Sequence, residues 1–297
     1  MCKMKRNIYV LITGSNSFVG NVVKSYLTEE YDNYVVHTAG MRNGEWVNLD
    51  FSIYDVVFHV AGLAHSDTGF VSKGKRELYY KVNTDLTEAV ATKAKKSKVK
   101  QFIFMSSAIV YGDSAPIGKS KVITRDSLCC PVNFYGDSKV QAEKKILALA
   151  DKNFKVLILR CPMIYGKGAK GNFPVLESMA LKLPFFPKVD NRRSMLYIGN
   201  FVEFIRLAIE NEEFGMFWPC NKEFSNTSEI VRLIANVRGK HILLLPGLTW
   251  LLKIMSYFTD DVNKAFGNFV YDESLGEYKE EYRVYTLEES IKETEIS

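Results

Sequence analysis

Apolar residues arrive along this chain alternately in unbroken runs and at helical spacing. Ile8–Ile12 is a continuous apolar run that stops at Thr13-Gly14, as expected of a strand buried on both faces. Asn21–Tyr31 then carries Val22, Val23, Tyr26 and Leu27 on one helical face, and Tyr34–His37 reads as a second strand. Asp55–Ala61 predicts another buried strand and Leu78–Lys98 a long helix with a lysine-rich outer face. Lys100–Met105, Asp137–Asp151 and Phe154–Arg160 continue as strand, helix, strand. Strands alternating with helices over 160 residues predict an α/β fold built on a doubly wound parallel sheet.

Past Arg160 the alternation breaks. Residues 161–193 hold several Gly and Pro and read as an irregular, site-building segment, while Tyr197–Asn211 is helical again. The expected organisation is a dinucleotide-type domain over 1–160, joined again by 195–221, and a smaller substrate-binding lobe from 161–194 and 222–297. Ile242–Phe258 is apolar but interrupted by Pro246, Gly247 and Lys253. It reads as a core or interface helix, with contact to a membrane surface as the alternative.

Composition narrows the class. The chain has 297 residues, 47% hydrophobic and 25% charged, which is globular rather than disordered or fibrous. Its net charge of +5 is uneven, because Asp272–Ser297 holds nine acidic and three basic side chains. The remainder is therefore strongly basic, which suits an anionic small ligand. The lysines at 93–98 lack interleaved aromatics, so nucleic acid is not expected as a partner. The five cysteines show no metal-ligand spacing, so no metal is expected and a reducing cytoplasm is. The basic start Met1–Arg6 precedes too short an apolar run for a signal peptide, and no stretch is long enough to span a membrane.

The first strand is followed by Thr13-Gly-Ser-Asn-Ser-Phe-Val-Gly20. A loop opening a helix at this point presents backbone N–H groups to a pyrophosphate. Gly14, Ser17, Phe18, Val19 and Gly20 are its candidate contacts, with Ser17 where such loops usually have a middle glycine. The second strand ends without the carboxylate that would grip the adenosine ribose of NAD; Arg42 nearby tilts the expectation toward NADP.

Met105-Ser-Ser-Ala108 closes a strand with hydroxyls at its carboxyl end, and Tyr135-Gly-Asp-Ser-Lys139 opens a helix with Tyr and Lys on one face. An ammonium beside a phenol favours the phenolate, which would let Tyr135 exchange a proton near neutral pH. Ser107 would hydrogen-bond the same substrate oxygen. Ser107, Tyr135 and Lys139 are the catalytic candidates.

In these motifs and their order the chain resembles the extended short-chain dehydrogenases/reductases of the nucleotide-sugar epimerase/dehydratase type, over nearly its whole length. The resemblance implies a Rossmann-type fold, bound NAD or NADP, a UDP-sugar substrate and a homodimer through the helices around Leu86 and Tyr135. Leu49-Asp50-Phe51 is similar to the segment that meets the adenine, Val60-Ala61-Gly62 to the loop lining the cofactor, and Asn83 to a helix Asn beside it. The resemblance likewise assigns Asn172 and Phe173 to a substrate loop and Arg193 to the sugar diphosphate, with Arg192 beside it. Lys170–Phe173 and Asn191–Ser194 resemble bacterial enzymes that reduce a UDP-linked 4-keto-6-deoxy-N-acetylhexosamine for surface polysaccharides. UDP-sugar 4-epimerases share much of this pattern, and a dinucleotide-sensing protein without turnover is a third possibility. Ser106 and Ala108 leave no acid/base carboxylate beside the serine, which argues against a dehydratase. The region between the second strand and Asp55 is short for the family.

Overall fold

The computed structural model describes residues 6–63 and 72–296; Cys2 and the basic start through Lys5 lie outside the described residues. The chain divides into two compact units, one of 1–110, 129–161 and 202–217, the other of 111–128, 162–201 and 218–297.

The first unit is a six-stranded sheet. Its strands are β1 (Ile8–Thr13), β2 (Tyr34–Ala39), β3 (Val56–His59), β4 (Gln101–Met105), β5 (Lys155–Leu159) and β6 (Gly215–Phe217), in the order β6-β5-β4-β3-β1-β2. Every pairing is parallel, the Rossmann-type doubly wound arrangement the alternation predicts. The order reverses at β1 and β3, and the crevice at such a switch point is where open α/β sheets take their ligands. Residues 40–55 contain a single 3₁₀ turn at Glu45–Asn48 and no further strand, which accounts for the short connection in the sequence.

Helix α1 (Phe18–Glu30) begins ahead of the periodic residues because Ser17 caps it, its hydroxyl accepting from the Gly20 amide at 3.2 Å. The helix expected over 78–98 starts instead at Lys73. It runs as α2 (Lys73–Tyr80), a π turn at Lys81–Asp85, and α3 (Leu86–Lys96). Helix α4 (Phe134–Leu147) is capped by Asn133, whose Oδ1 accepts from Gly136 N at 2.8 Å. Leu11, Val57, Phe102, Phe104 and Ile158 of the sheet pack against Val90, Ala91 and Ala94 of α3 and Ala142 and Ile146 of α4. Val10, Ile12, Val56 and Phe58 are also buried, so the strands bury both faces and need apolar residues at successive positions.

In the second unit Val122–Ile123 pairs with Val270–Tyr271, so 111–128 groups there rather than with the nucleotide-type sheet. Phe185–Pro187 pairs with Leu243–Leu245, and Met163–Tyr165 with Met195–Tyr197. The segment expected to be irregular contains a helix, Phe173–Lys182, with Pro174 in its first turn. Proline fits there because no N–H is needed.

Candidate active site

The glycine loop is built by close approach. Gly14 has φ +99°, and a Cβ on it would lie 3.0 Å from the Ala61 amide nitrogen and 3.1 Å from Ala61 Cα. A Cβ on Gly20 already meets Ile12 and Val60 side chains at 3.0 and 3.1 Å, which seats α1 tightly on the sheet. Ser17 takes one first-turn donor as N-cap, so its hydroxyl serves the helix. That leaves the amides of Phe18 and Val19 as the donors for a diphosphate. These residues fit a dinucleotide: the loop is bare where phosphates would approach, and its donor set is neutral N–H.

Three consecutive residues at the end of β4 each engage a different turn of α4. The Met105 carbonyl accepts from Lys139 Nζ at 2.8 Å, Ser106 Oγ donates to Glu143 Oε1 at 2.5 Å, and the Ser107 side chain lies close enough to the Tyr135 phenol to lower its pKa. Ser107 and the two named catalytic partners are therefore brought together. Burial pushes the Tyr135 phenol up to about 12, and the nearby Ser107 side chain only partly opposes it. Burial also pulls Lys139 down to about 8, while Glu143 acts in the opposite direction. The sequence suggests a phenol poised to ionise through Lys139; in the isolated chain desolvation dominates and raises its pKa instead. Gly136 is required beside Tyr135, since a Cβ there would meet the Ile109 carbonyl at 2.9 Å.

Glu143, Arg160 and Ser106 form a buried cluster that the sequence reading missed. Arg160 donates from Nη2 to Oε2 at 2.7 Å and from Nε to Oε1 at 3.2 Å. A signal existed: Glu143 is i+4 from Lys139, and Arg160 ends an apolar strand run. The carboxylate reaches Ser106, and both of its oxygens also accept from Arg160.

A second polar chain links the glycine loop to α4. Thr87 Oγ1 donates to the Asn83 carbonyl at 2.7 Å, so it accepts from His59 Nε2 at 3.0 Å. His59 Nδ1 then accepts from Thr13 Oγ1 at 2.7 Å. The tautomer is fixed by its neighbours. Asn83 Oδ1 accepts from Leu63 N at 2.7 Å, and its Nδ2 donates to Leu63 O and Ser138 Oγ at 3.1 and 3.0 Å. Asn83, a candidate cofactor contact, thus spends its side chain holding the loop after β3 against α4. Gly62 in that loop has no room for a side chain, which would meet Asn83 Oδ1 at 3.1 Å and Lys139 Nζ at 3.3 Å. Val60 and Ala61 flank it, Val60 partly exposed and Ala61 buried.

The remaining candidates separate. Arg42 is exposed just beyond β2, and Asp50 is exposed with Oδ1 accepting from Ser52 N and Oγ. The Phe51 ring is fully buried under Lys93 and beside Tyr54, so its side chain belongs to the core and only its backbone could serve a cofactor. In the second unit Asn172 is exposed at the start of Phe173–Lys182. Phe173, a candidate substrate contact, is instead buried and stacked on Tyr165 at 5.0 Å. It anchors the helix that carries Asn172. Arg193 donates to the Lys264 carbonyl, and burial pulls it down to about 10, so it stays charged at neutral pH. Arg192 is exposed, its guanidinium over the Phe224 ring.

This fold, with a bare glycine loop, a serine beside a tyrosine and a Lys one turn on, is that of an extended short-chain dehydrogenase/reductase. The description of the NAD dependent epimerase/dehydratase family matches residues 10–216, and the chain belongs to that family. It is 34% identical to a UDP-glucose 4-epimerase of Vibrio cholerae, across 98% of this chain and 95% of that protein. Its fold is similar to that of a UDP-glucuronic acid 4-epimerase from Bacillus cereus in complex with NAD (TM-score 0.73, 19% identity, 97% of each chain). A dTDP-4-dehydrorhamnose reductase from Bacillus anthracis in complex with NADP is similar too (TM-score 0.71, 18% identity, 97% of this chain and 98% of that one).

Proposed function

We propose that the protein reduces the 4-keto group of a UDP-linked sugar, of the 4-keto-6-deoxy-N-acetylhexosamine class. The observation that carries this reading is the placement of Tyr135 on α4, with the Ser107 side chain close beside its phenol and Lys139, one turn on, donating to the Met105 carbonyl at 2.8 Å. A protonated phenol is the form a reduction needs. When bound, the dinucleotide supplies a hydride at nicotinamide C4. Tyr135 gives its proton to the developing C4 oxyanion, and Ser107 donates to the same oxygen and holds it in line. Lys139 keeps a positive charge beside the phenolate left behind. Gly14, Phe18 and Val19 hold the pyrophosphate. Asn172 and Arg193 take the sugar diphosphate, Arg193 through its charged planar fork. Exposed Arg42 suits the ribose phosphate of NADP, and α3 and α4 form the homodimer contact.

A second reading, a UDP-sugar 4-epimerase, is supported by the 34% identity to the Vibrio cholerae enzyme. Tyr135 would then take the proton from the C4 hydroxyl and later return it. One assay separates the two. A reductase consumes NAD(P)H in proportion to the keto sugar supplied, whereas an epimerase interconverts UDP-sugars with no added cofactor. Tyr135→Phe should keep nucleotide-sugar binding and lose about 10²–10⁴ in turnover in either case. Full activity of that variant overturns the assignment of Tyr135.

A further inference from the structure

The second unit leaves a large apolar surface in water. The paired residues Phe185 and Leu243 lie on one face of their two-stranded ribbon and are both exposed. After the turn at 246–248 comes the short helix Thr249–Met255, of which Leu252 is the one buried residue. Trp250 is 62% exposed, Tyr257 88% and Phe258 85%, with Leu251, Ile254 and Met255 exposed among them. Of the core or interface helix expected over this stretch, the core reading is therefore not met. Single exposed apolar residues need no explanation, but a cluster of this size does.

Its charge selects the partner. Segments 181–189 and 240–259 contain Lys182, Lys188, Lys240 and Lys253 but no aspartate or glutamate. Carboxylates resume only at Asp190 and Asp260, although the chain averages about one acidic residue in nine. The two segments are joined by the ribbon and by Lys240 Nζ donating to the Leu181 carbonyl. Lys253 Nζ lies beside Gly118, where a Cβ would stand 3.3 Å from it, next to exposed Lys119. A second copy docked face to face would set these lysines against their own equivalents, which is unfavourable. An anionic bilayer satisfies both features. Trp and Tyr favour the headgroup level, Leu, Ile and Phe enter the acyl boundary, and lysines meet lipid phosphates. No helix among the described residues is long and apolar enough to cross a membrane, so the contact lies on the surface.

We propose that the ribbon and helix around Leu243 and Trp250 dock the second unit on an anionic lipid bilayer. This goes beyond the activity proposed above and does not depend on it. The test is co-sedimentation of the full chain with phosphatidylcholine vesicles, with and without phosphatidylglycerol, alongside Trp fluorescence. The wild type should sediment with anionic vesicles at least about tenfold better than with neutral ones, and its emission should shift to the blue. Combined Trp250→Ser, Tyr257→Ser and Phe258→Ser should abolish binding, and Lys182→Glu with Lys253→Glu should abolish the preference for anionic lipid. All five side chains are exposed, so folding is spared. A wild type that stays in the supernatant, or a triple variant that binds equally well, overturns the proposal. So does a concentration-dependent dimer that the triple variant dissociates, since the surface would then belong to a second copy.

Discussion

Glu143 and Arg160 meet through two hydrogen bonds, at 2.7 and 3.2 Å, with both side chains almost closed to solvent. Through Ser106 this pair fixes the end of β4 from which Ser107 reaches Tyr135. Breaking a buried pair leaves one charge without compensation, which costs far more than replacing both partners. Glu143→Gln should therefore lower stability by about 3–5 kcal/mol. Combined Glu143→Met and Arg160→Met should recover most of it. Denaturant unfolding of both variants checks this; equal losses would mean the pair contributes little as a pair.

The same carboxylate sets a pH dependence. Lys139 has its pKa lowered to about 8 by burial, and Glu143 raises it against that trend. His59 from β3, neutral in this environment, is electrostatically coupled to the same lysine. If turnover needs the ammonium, kcat/KM should fall as pH rises through about 8, while Tyr135, up at about 12, stays protonated throughout. Glu143→Gln should move that fall to lower pH. A ¹³Cε-lysine NMR titration of the free chain reads the same ionisation without any turnover. An unmoved lysine signal in a folded Glu143→Gln protein would refute the coupling.

Gly14 carries a prediction about the cofactor alone. Its φ of +99° disfavours any side chain, and the atoms a Cβ would meet belong to the Ala61 backbone, which cannot swing aside. Gly14→Ala should cost about 1–3 kcal/mol of stability and weaken dinucleotide binding, measured by calorimetry, at least tenfold. Arg42→Ala, on an exposed side chain, should leave stability unchanged and weaken NADPH more than NADH. Equal loss for both would remove Arg42 from the ribose phosphate.

What could be read in the chain beforehand was whatever is local. Ile8–Ile12, the glycine loop and the Tyr135–Lys139 spacing each express a backbone period or a turn, and each lies where its pattern puts it. What could not be read depends on partners distant in sequence. Glu143 looks like one more charge on an amphipathic helix until Arg160 folds against it. Asn83 stands where the family motif places a residue beside the cofactor, and its amide ties Leu63 to Ser138. Phe51 and Phe173 stand in motifs that resemble ligand loops, yet both rings are buried where an aromatic side chain gains most from leaving water. The helix Phe173–Lys182 was hidden by Gly171 and Pro174, which read as breakers although proline is accommodated in a first turn. Val122–Ile123 could be placed only by its pairing with Val270–Tyr271.

His59 makes acid stability a report on the buried chain from Thr13 to Asn83. Burial lowers its pKa to about 3, from an ordinary value near 6.5, and the lysine charge at Lys139 adds to the effect. Its neutral ring must accept from Thr13 and donate to Thr87, so protonation would break the first of these bonds as well as place a charge among Phe102 and Phe104. In the unfolded chain the same ring binds a proton near pH 6.5. Between about 6.5 and 3 the unfolded state therefore holds the extra proton, and stability falls as pH falls through that window, by up to about 1.4 kcal/mol per unit. His59→Gln should be less stable at pH 8, because the two threonines lose matched geometry. It should also show a flatter decline between pH 6.5 and 4 than the wild type. Unfolding free energies measured across that range decide the matter: parallel curves for the two proteins would mean that His59 does not titrate on unfolding.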